Sequence, residues 1–260
     1  MIHWLPDAGP FALRTFDHKV FNAIARHPEV LPWLGFPPEI ASPDYTATVN
    51  DPNNYAFLTR GRDGCLIFVR AAPGLYHVHT MAMPTARGAP MVRLTRDALA
   101  FMFLNTDCHE ITTMVPDDNP AAAWLATKNG FKEVYRREGI HLSHGKMIGL
   151  SYRSLRLEDY VARSKTLEAL GELFHGRLVA AGVEINHDDD PIHDRWVGAA
   201  LGMVLAGNAA KAVGSYNRWA SVARYQAVNL VSVTPILVDF GTAYVQIQGG
   251  AIEILKGGRI

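Results

Sequence analysis

Cysteine is scarce in this 260-residue sequence. The two cysteines, Cys65 and Cys108, lie in separate apolar segments, and neither has a CxxC partner. A pair placed in this way lacks the spacing of a disulfide framework or of a zinc site. We therefore expect two free, buried thiols in a protein of a reducing compartment.

An excess of charge of one sign is also missing. The chain carries 25 basic and 25 acidic side chains; residues 1–150 have 14 of each and residues 151–260 have 11 of each. Nucleic-acid binding draws on a basic surface that neutralises phosphates. The balanced charge therefore argues against a nucleic-acid partner.

Long apolar runs are absent as well. No stretch reaches the ~18 uninterrupted apolar residues of a membrane span. The N-terminus, MIHWLPDAGP, lacks a basic segment followed by an apolar run, which is the pattern of a signal peptide. The sequence predicts a cytoplasmic protein, and membrane contact is not favoured.

The length and the change of pattern along the chain predict two domains, residues 1–152 and 153–260. The first reads as helix, three antiparallel strands, helix, strand, helix, strand, strand, an α+β order with helices flanking a mixed, mostly antiparallel sheet. Its expected elements are a helix from Pro10, strands NYAFLTR and GCLIFVR, a strand at 76–83, a helix at 90–104, a strand at 110–115, the helix in PDDNPAAAWLATKNGF, a strand at 131–138 and a last strand before Tyr152.

The second domain reads as helices followed by strands. The apolar spacing predicts one long helix from Leu155 to Ala181 and another from about Pro191 to Tyr225. From Asn229 the pattern becomes β-like, and Gly249-Gly250 has the composition of a two-residue hairpin turn. We interpret the whole of residues 153–260, with its helices and the exposed edge of this small meander, as a module for oligomerisation or docking.

The stretch PDDNPAAAWLATKNGF, residues 116–131, predicts a short and sharply bounded helix. Asn119 can cap the helix and Pro120 suits its first turn. Gly130 can end it in the left-handed region, after which Phe131 turns back to the core. Such a helix directly after a strand leaves its first N–H groups pointing beyond the strand end.

From Tyr76 to Glu138 these features occur in a specific order: YHVHTMAM, then PTARG, a long helix, EITTMVPDDN and a helix that ends in Gly-Phe. In this order and spacing the chain resembles the GNAT superfamily of acyl-CoA N-acyltransferases, and more closely its divergent members encoded in bacteriophage genomes. The resemblance implies a GNAT fold over residues 1–150, acetyl-CoA as co-substrate and an amine on a small molecule or protein as acceptor.

In that family the loop after the Arg-Gly pair and the helix start bind the CoA pyrophosphate through backbone N–H groups. Three positions depart from the family pattern. Pro90 replaces a glycine of the loop and removes a donor, and Val92 replaces a small residue that admits the phosphates. Ala126 stands where many members have a tyrosine that protonates the departing thiolate. The cofactor-binding residues that the resemblance implies are Met81, Ala82, Met83, Arg87, Gly88, Ala89 and Asn119.

The acid and the base are left open by the sequence. His77 and His79 face the same side of one strand, and Glu110 begins the next, so His79 and Glu110 are candidates for the group that takes the proton of the attacking amine. Histidines that are hydrogen-bonded in the core are the alternative. Tyr135 is the candidate acid, unless the thiolate leaves unaided.

The segment from His187 to Asp194 is rich in His and Asp, but its spacing matches no recognised zinc or calcium pattern, and we expect no metal. Gly198, Gly202, Ala206, Ala210 and Gly214 recur every four residues and form a ridge of small residues. That ridge suits packing within the domain, self-association or membrane contact.

Three functions fit the sequence. The first is an acyl-CoA-dependent N-acyltransferase of phage type whose C-terminal module forms homo-oligomers or binds virion proteins. The second is a catalytically silent GNAT fold with a structural role in a phage virion, at assembly, a portal or tail connector, or ejection. The third is a sensor that binds the thioester without turnover. The expected location is the host cytoplasm or, for the second function, the virion.

Overall fold

The computed structural model describes residues 10–36, 42–143, 145–180, 190–233, 236–239, 243–248 and 251–256. The chain divides into two compact units. The first contains the described residues up to Phe103 together with Asp107–Leu157. The second contains Leu104–Thr106 and the described residues from Glu158 onward. The main boundary between the units lies after Leu157, a few residues beyond the boundary expected at Tyr152.

The first unit contains seven strands and four helices among its described residues, and α5 begins at its end. In chain order they are β1 Leu13–Arg14, α1 His18–Ala25, α2 Thr46–Asn50, β2 Tyr55–Leu58, β3 Gly64–Ala72, β4 Leu75–Ala82, α3 Ala89–Asn105, β5 Glu110–Pro116, α4 Pro120–Lys128, β6 Lys132–Ser143, β7 Lys146–Arg156 and α5 Leu157–Val161.

The strands of this unit form one sheet in the order β1-β2-β3-β4-β5-β7-β6. All neighbouring strands are antiparallel except β4 and β5, which are parallel. The expected α+β class is therefore confirmed. A parallel pair needs a crossover connection, and α3 supplies it between β4 and β5.

Alternation along the strands separates two apolar faces. On one face Ile67 and Met81 are packed with Phe21 and Ile24 of α1 and Val49 of α2, all fully or almost fully buried. On the other face, Phe101 of α3 lies with its ring centroid 5.5 Å from that of a phenylalanine in β2. Each large apolar side chain buried in this way stabilises the fold by roughly 1.5–3 kcal/mol.

The prediction of a helix from Pro10 was wrong in its start. Residues Leu13–Arg14 pair with β2 as an edge strand, and the helix begins at His18, after Asp17. The apolar residues at positions 11 and 16 fit the helical period, but both are exposed. Both cysteines are free and buried, as expected.

The second unit contains three further helices and a four-stranded sheet among its described residues. They are α6 Lys165–Ala180, α7 Pro191–Leu205, α8 Ala209–Ala223, β8 Asn229–Val233, β9 Ile236–Asp239, β10 Ala243–Gln248 and β11 Ala251–Lys256. The sheet is antiparallel, with the order β11-β10-β9-β8. The predicted hairpin turn at Gly249-Gly250 lies outside the described residues, although the strands on either side of it pair in register.

Both long helices predicted for this unit were wrong. The segment from Leu155 ends a strand and forms α5 before α6 begins at Lys165. The segment after Pro191 is divided at Gly207, whose φ of +83° ends α7. A glycine in that conformation closes a helix at little steric cost.

The ridge of small residues is likewise divided between two helices. Gly198 of α7 meets the backbone of Leu167 in α6, and Gly202 meets the Leu104 side chain, so these two serve packing within the unit. Gly214 of α8 has open space where a Cβ would stand. Among the described helices, none combines the length and apolarity that crossing a bilayer requires.

Candidate functional site

A gap opens in the seven-stranded sheet between β4 and β5. The two parallel strands pair through only three positions, the last being His77 with Thr112. Beyond this point the Thr113 hydroxyl donates to the Val78 carbonyl at 3.2 Å. Both strands continue, and each stays paired on its other side, with β3 up to Ala82 and with β7 up to Pro116. The gap therefore has two firmly held walls.

Strand alternation determines which backbone groups face the gap. The carbonyls of Tyr76 and Val78 accept hydrogen bonds from threonines of β5, so even-numbered residues of β4 direct their peptide groups towards β5. Thr80 and Ala82 continue this series beyond the last paired position. Their N–H and C=O groups are placed to bind an extended chain lying in the gap.

The same alternation directs the odd-numbered residues of β4 the other way. The Met83 N–H donates to the Asp63 carbonyl at 2.8 Å, and Met81 is paired with Cys65 of β3. Three residues at the end of β4 and just after it were expected to offer backbone groups to a cofactor. The structure brings Ala82 to the gap and directs the peptide groups of Met81 and Met83 away from it. Thr80 was missed, because the direction of a peptide group depends on pairing that the sequence does not show.

The start of α3 follows the end of β4 after a short 3₁₀ turn. Gly88 has φ of +79° with open space at its Cβ position, and the Val92 N–H donates to its carbonyl. The first N–H groups of a helix have no partner inside it, and they carry its positive dipole end. Gly88, Ala89 and Met91 can supply three such donors, while Pro90 supplies none.

The Arg87 side chain, expected at the same loop, bonds elsewhere. Its guanidinium donates to the Glu29 carbonyl at 3.1 Å and lies 3.6 Å from the Glu29 carboxylate. Both side chains are about half exposed, so this ion pair is weak and can be exchanged for a phosphate.

Helix α4 has the boundaries predicted from its sequence. The Asn119 side chain accepts from the Ala122 N–H at 3.0 Å, and Gly130 ends the helix with φ of +93°. The Phe131 N–H bonds back to Ala126, which is buried. Since the Asn119 oxygen serves the cap, its amide NH₂ is the group available to a ligand.

His77 and His79 lie side by side on the face of β4 that α1 and α2 cover. Their ring centroids are 4.9 Å apart, and Nδ1 of His77 lies 3.2 Å from the Thr112 hydroxyl. Burial, and then repulsion from His79, lowers the pKa of His77 to about 4. Burial also lowers the pKa of His79. Both rings are therefore neutral at pH 7 and able to accept a proton.

Glu110 is not brought to the gap. It is paired with Leu75, four residues before His79, which places it ~13 Å back along the strand at the closed end of the β4–β5 pair. Its carboxylate accepts from the Ser154 hydroxyl and lies 3.7 Å from the Arg156 guanidinium. These contacts give Glu110 a role in joining β5 to β7.

Tyr135 lies on the edge strand β6, two strands beyond β5. Its ring stacks on Tyr152 of β7 with centroids 4.2 Å apart, and Tyr152 is paired with Met114 of β5. In the parallel register, Met114 falls level with His79. These four residues therefore form a row across the sheet, in the order His79, Met114, Tyr152 and Tyr135. Tyr152 is one strand nearer to the gap than Tyr135. Tyr152 was missed because its neighbours are set by long-range strand pairing, which the sequence does not show.

No protein-family model matches the sequence. No curated protein matches it either. Solved structures with a similar arrangement include the spermidine/spermine N-acetyltransferase SpeG from Vibrio cholerae in mutant forms, with 15% identity, a TM-score of 0.49 and coverage of 60% of this chain and 100% of that one. The same enzyme with CoA and spermine gives 16% identity, a TM-score of 0.48 and coverage of 58% and 95%. Its structure with manganese ions gives 15%, 0.46, 59% and 96%.

At this identity and score the similarity carries no argument by itself, and the topology decides the fold. Two features on which the resemblance rests are present, the Arg-Gly turn into α3 and the helix bounded by Asn119 and Gly130. The structure adds that the sheet has a single parallel pair of strands, which opens after three residue pairs. The first unit of this chain is therefore GNAT-like in its α+β topology.

Proposed function

We propose that the first unit is an acyl-CoA-dependent N-acyltransferase. The opening between β4 and β5 supports this proposal most directly, because it presents the peptide groups of Thr80 and Ala82 beside the start of α3. A pantetheine arm could bind the peptide groups while the pyrophosphate binds the helix start, with Asn119 contributing from the β5 side. Acetyl-CoA is the proposed co-substrate.

In the proposed reaction a neutral amine attacks the thioester carbonyl carbon from the face that carries the histidines. The new C–N bond forms, the carbonyl oxygen becomes an oxyanion, and the Ala82 N–H faces the gap where that charge develops. Collapse of this intermediate breaks the C–S bond. His79 accepts the proton of the amine nitrogen, and the thiolate leaves without assistance or takes a proton from Tyr152 or Tyr135.

The surface formed by Met114 of β5, Tyr152 of β7 and Tyr135 of β6 indicates which part of an acceptor could bind there. Met114 and Tyr135 are exposed, and the Tyr135–Tyr152 stack extends the row away from His79. Such a surface suits the apolar or cationic body of an amine, which would leave its reacting nitrogen near His79. We propose an amine-bearing small molecule or protein side chain as acceptor.

Two observations favour a second candidate, a catalytically silent GNAT fold used structurally, for which a phage virion is the proposed setting. Pro90 removes one donor from the helix start, and Ala126 is buried where the family often has its acid. Calorimetric titration with acetyl-CoA separates the two. Absence of heat and of a thermal shift at millimolar ligand would leave the silent fold, whereas binding without turnover of an amine panel would indicate a sensor.

Gly88→Asp is expected to weaken acetyl-CoA binding by roughly 10–100-fold, because a carboxylate at the start of α3 repels the pyrophosphate. Gly88→Ala is the matched control. It introduces the same strain at φ of +79°, and its Cβ meets nothing within 4 Å. Calorimetry measures the dissociation constant of acetyl-CoA for both variants. Equal affinities would show that the start of α3 does not bind the phosphates.

We propose that the second unit mediates oligomerisation or docking. Val231 and Val233 are exposed on β8, an edge strand of the small sheet. An exposed apolar edge favours pairing with another chain. Light scattering is expected to show an oligomer for the full chain and a smaller species for Val231→Lys/Val233→Lys. A monomeric full-length protein would leave only docking to a different protein.

A further inference from the structure

A cluster of two histidines and one carboxylate is buried in the second unit. His175 of α6 and His193 and Asp194 of α7 each present one ligand atom, and these atoms lie within 4.8 Å of one another. The three residues are between 5% and 9% exposed. The expectation of no metal was drawn from spacing along residues 187–194, and His175 lies outside that segment.

Close packing of the two helices places His175 in the cluster. A Cβ at Gly171 would overlap the carbonyl of Asp194, so the backbones of α6 and α7 touch there. His175 follows Gly171 by four residues, hence it lies on the same face of α6 one turn later. Nδ1 of His175 is thereby held 3.1 Å from the Asp194 carboxylate.

The separation of these atoms suits a divalent ion. Zinc binds histidine nitrogen and carboxylate oxygen at roughly 2.0–2.2 Å. Two ligands 3.1 Å apart would then subtend an angle of about 95° at the ion. The ligand atom of His193 lies within 4.8 Å of the other two, so it needs to move inwards by at most about 1.4 Å to reach tetrahedral spacing.

The surroundings of His193 match those of a ligating histidine. Such a residue usually makes a hydrogen bond through its second ring nitrogen, which fixes the ring orientation. Nε2 of His193 lies 3.2 Å from the Tyr216 hydroxyl, and its ring stacks on Tyr225 with centroids 4.5 Å apart. The ring is therefore held from two sides.

From this geometry we propose that His175, His193 and Asp194 form a binding site for a divalent transition-metal ion, with zinc as the expected occupant. Imidazole and carboxylate ligands are compatible with zinc, and buried carboxylates in proteins are paired or bind metal ions. Three protein ligands leave one tetrahedral position for water. The ion would join α6 to α7 and stabilise the second unit.

The test uses the full-length chain, stripped with a chelator and then titrated with Zn²⁺ alone and with Co²⁺ alone. We expect one Zn²⁺ per chain, a higher melting temperature and an intense visible Co²⁺ band of low coordination number. His175→Gln and Asp194→Asn should each reduce affinity at least 100-fold. Tyr216→Phe, which keeps all three ligands, should reduce it by roughly 10–100-fold.

His27→Gln, remote in sequence from the cluster, is the control for adventitious binding and should leave the stoichiometry unchanged. Circular dichroism of the stripped proteins establishes that the variants are folded. The proposal is overturned if the wild type retains no stoichiometric ion, or if His175→Gln and Asp194→Asn bind as tightly as the wild type. If the other two variants fail to fold, the Zn²⁺ affinity of Tyr216→Phe, which keeps all three ligands, can still be compared with that of the wild type.

Discussion

His79→Ala is expected to lower kcat for acetyl transfer by roughly 10²–10⁴-fold while leaving the dissociation constant of acetyl-CoA unchanged. A positioned general base contributes a factor of this size. His79 lies where the β4–β5 pair opens. It is paired with Ile67, which faces the α1 and α2 cluster, and so its ring projects to the opposite face from the one on which α3 packs. Release of CoA, followed with a thiol reagent, measures the rate, and calorimetry measures the binding.

His109→Ala is the matched control, since His109 immediately precedes β5 at the closed end of the pair. Its kcat should stay within a few-fold of the wild type. If His79→Ala and His109→Ala have the same kcat, the amine loses its proton to water and His79 has no catalytic role.

The pH dependence tests the same assignment. Because burial lowers the pKa of His79, the neutral base persists below the ~6.5 of an unperturbed histidine. The acidic limb of kcat that belongs to this group should therefore lie below pH 6.5, and it should be absent in His79→Ala. A limb that remains unchanged in the variant would belong to the acceptor amine or to another group.

The fold of the first unit could be predicted from the sequence where local signals determine the structure. Asn119, Pro120 and Gly130 act through capping, restricted φ and left-handed backbone, all of which are local. Errors occurred where long-range contacts decide, as for the edge strand at Leu13–Arg14, which pairs with a strand more than forty residues later.

The residues of the candidate site can also be separated into those set by local signals and those set by long-range contacts. The helix start at Gly88 and the histidine pair could be identified because each belongs to one local segment. Three other features depend on sheet register, which a single sequence does not specify. They are the direction of the Thr80 peptide groups, the alignment of Tyr152 with His79 across the sheet, and the distance of Glu110 from His79. The buried cluster at His175 depends on the packing of two helices, and its signal is the glycine one turn earlier.

Gly198→Ala is expected to destabilise the second unit by ~3 kcal/mol or more. The added Cβ would overlap the Leu167 carbonyl oxygen, and because that atom belongs to the backbone, α6 and α7 must separate. Overpacking of a well-packed interior typically costs 1–3 kcal/mol, and here no flexible side chain can yield. The separation would also draw His175 away from Asp194.

Gly176→Ala in α6 is the matched control, because its Cβ would meet nothing within 4 Å. Within a helix that change should raise stability by about 0.5–1 kcal/mol. Denaturant unfolding followed by circular dichroism compares the two variants, and a Zn²⁺ titration reports whether the cluster survives. A Gly198→Ala protein as stable as the wild type would mean that the backbones of α6 and α7 do not approach closely at Gly198 and Leu167.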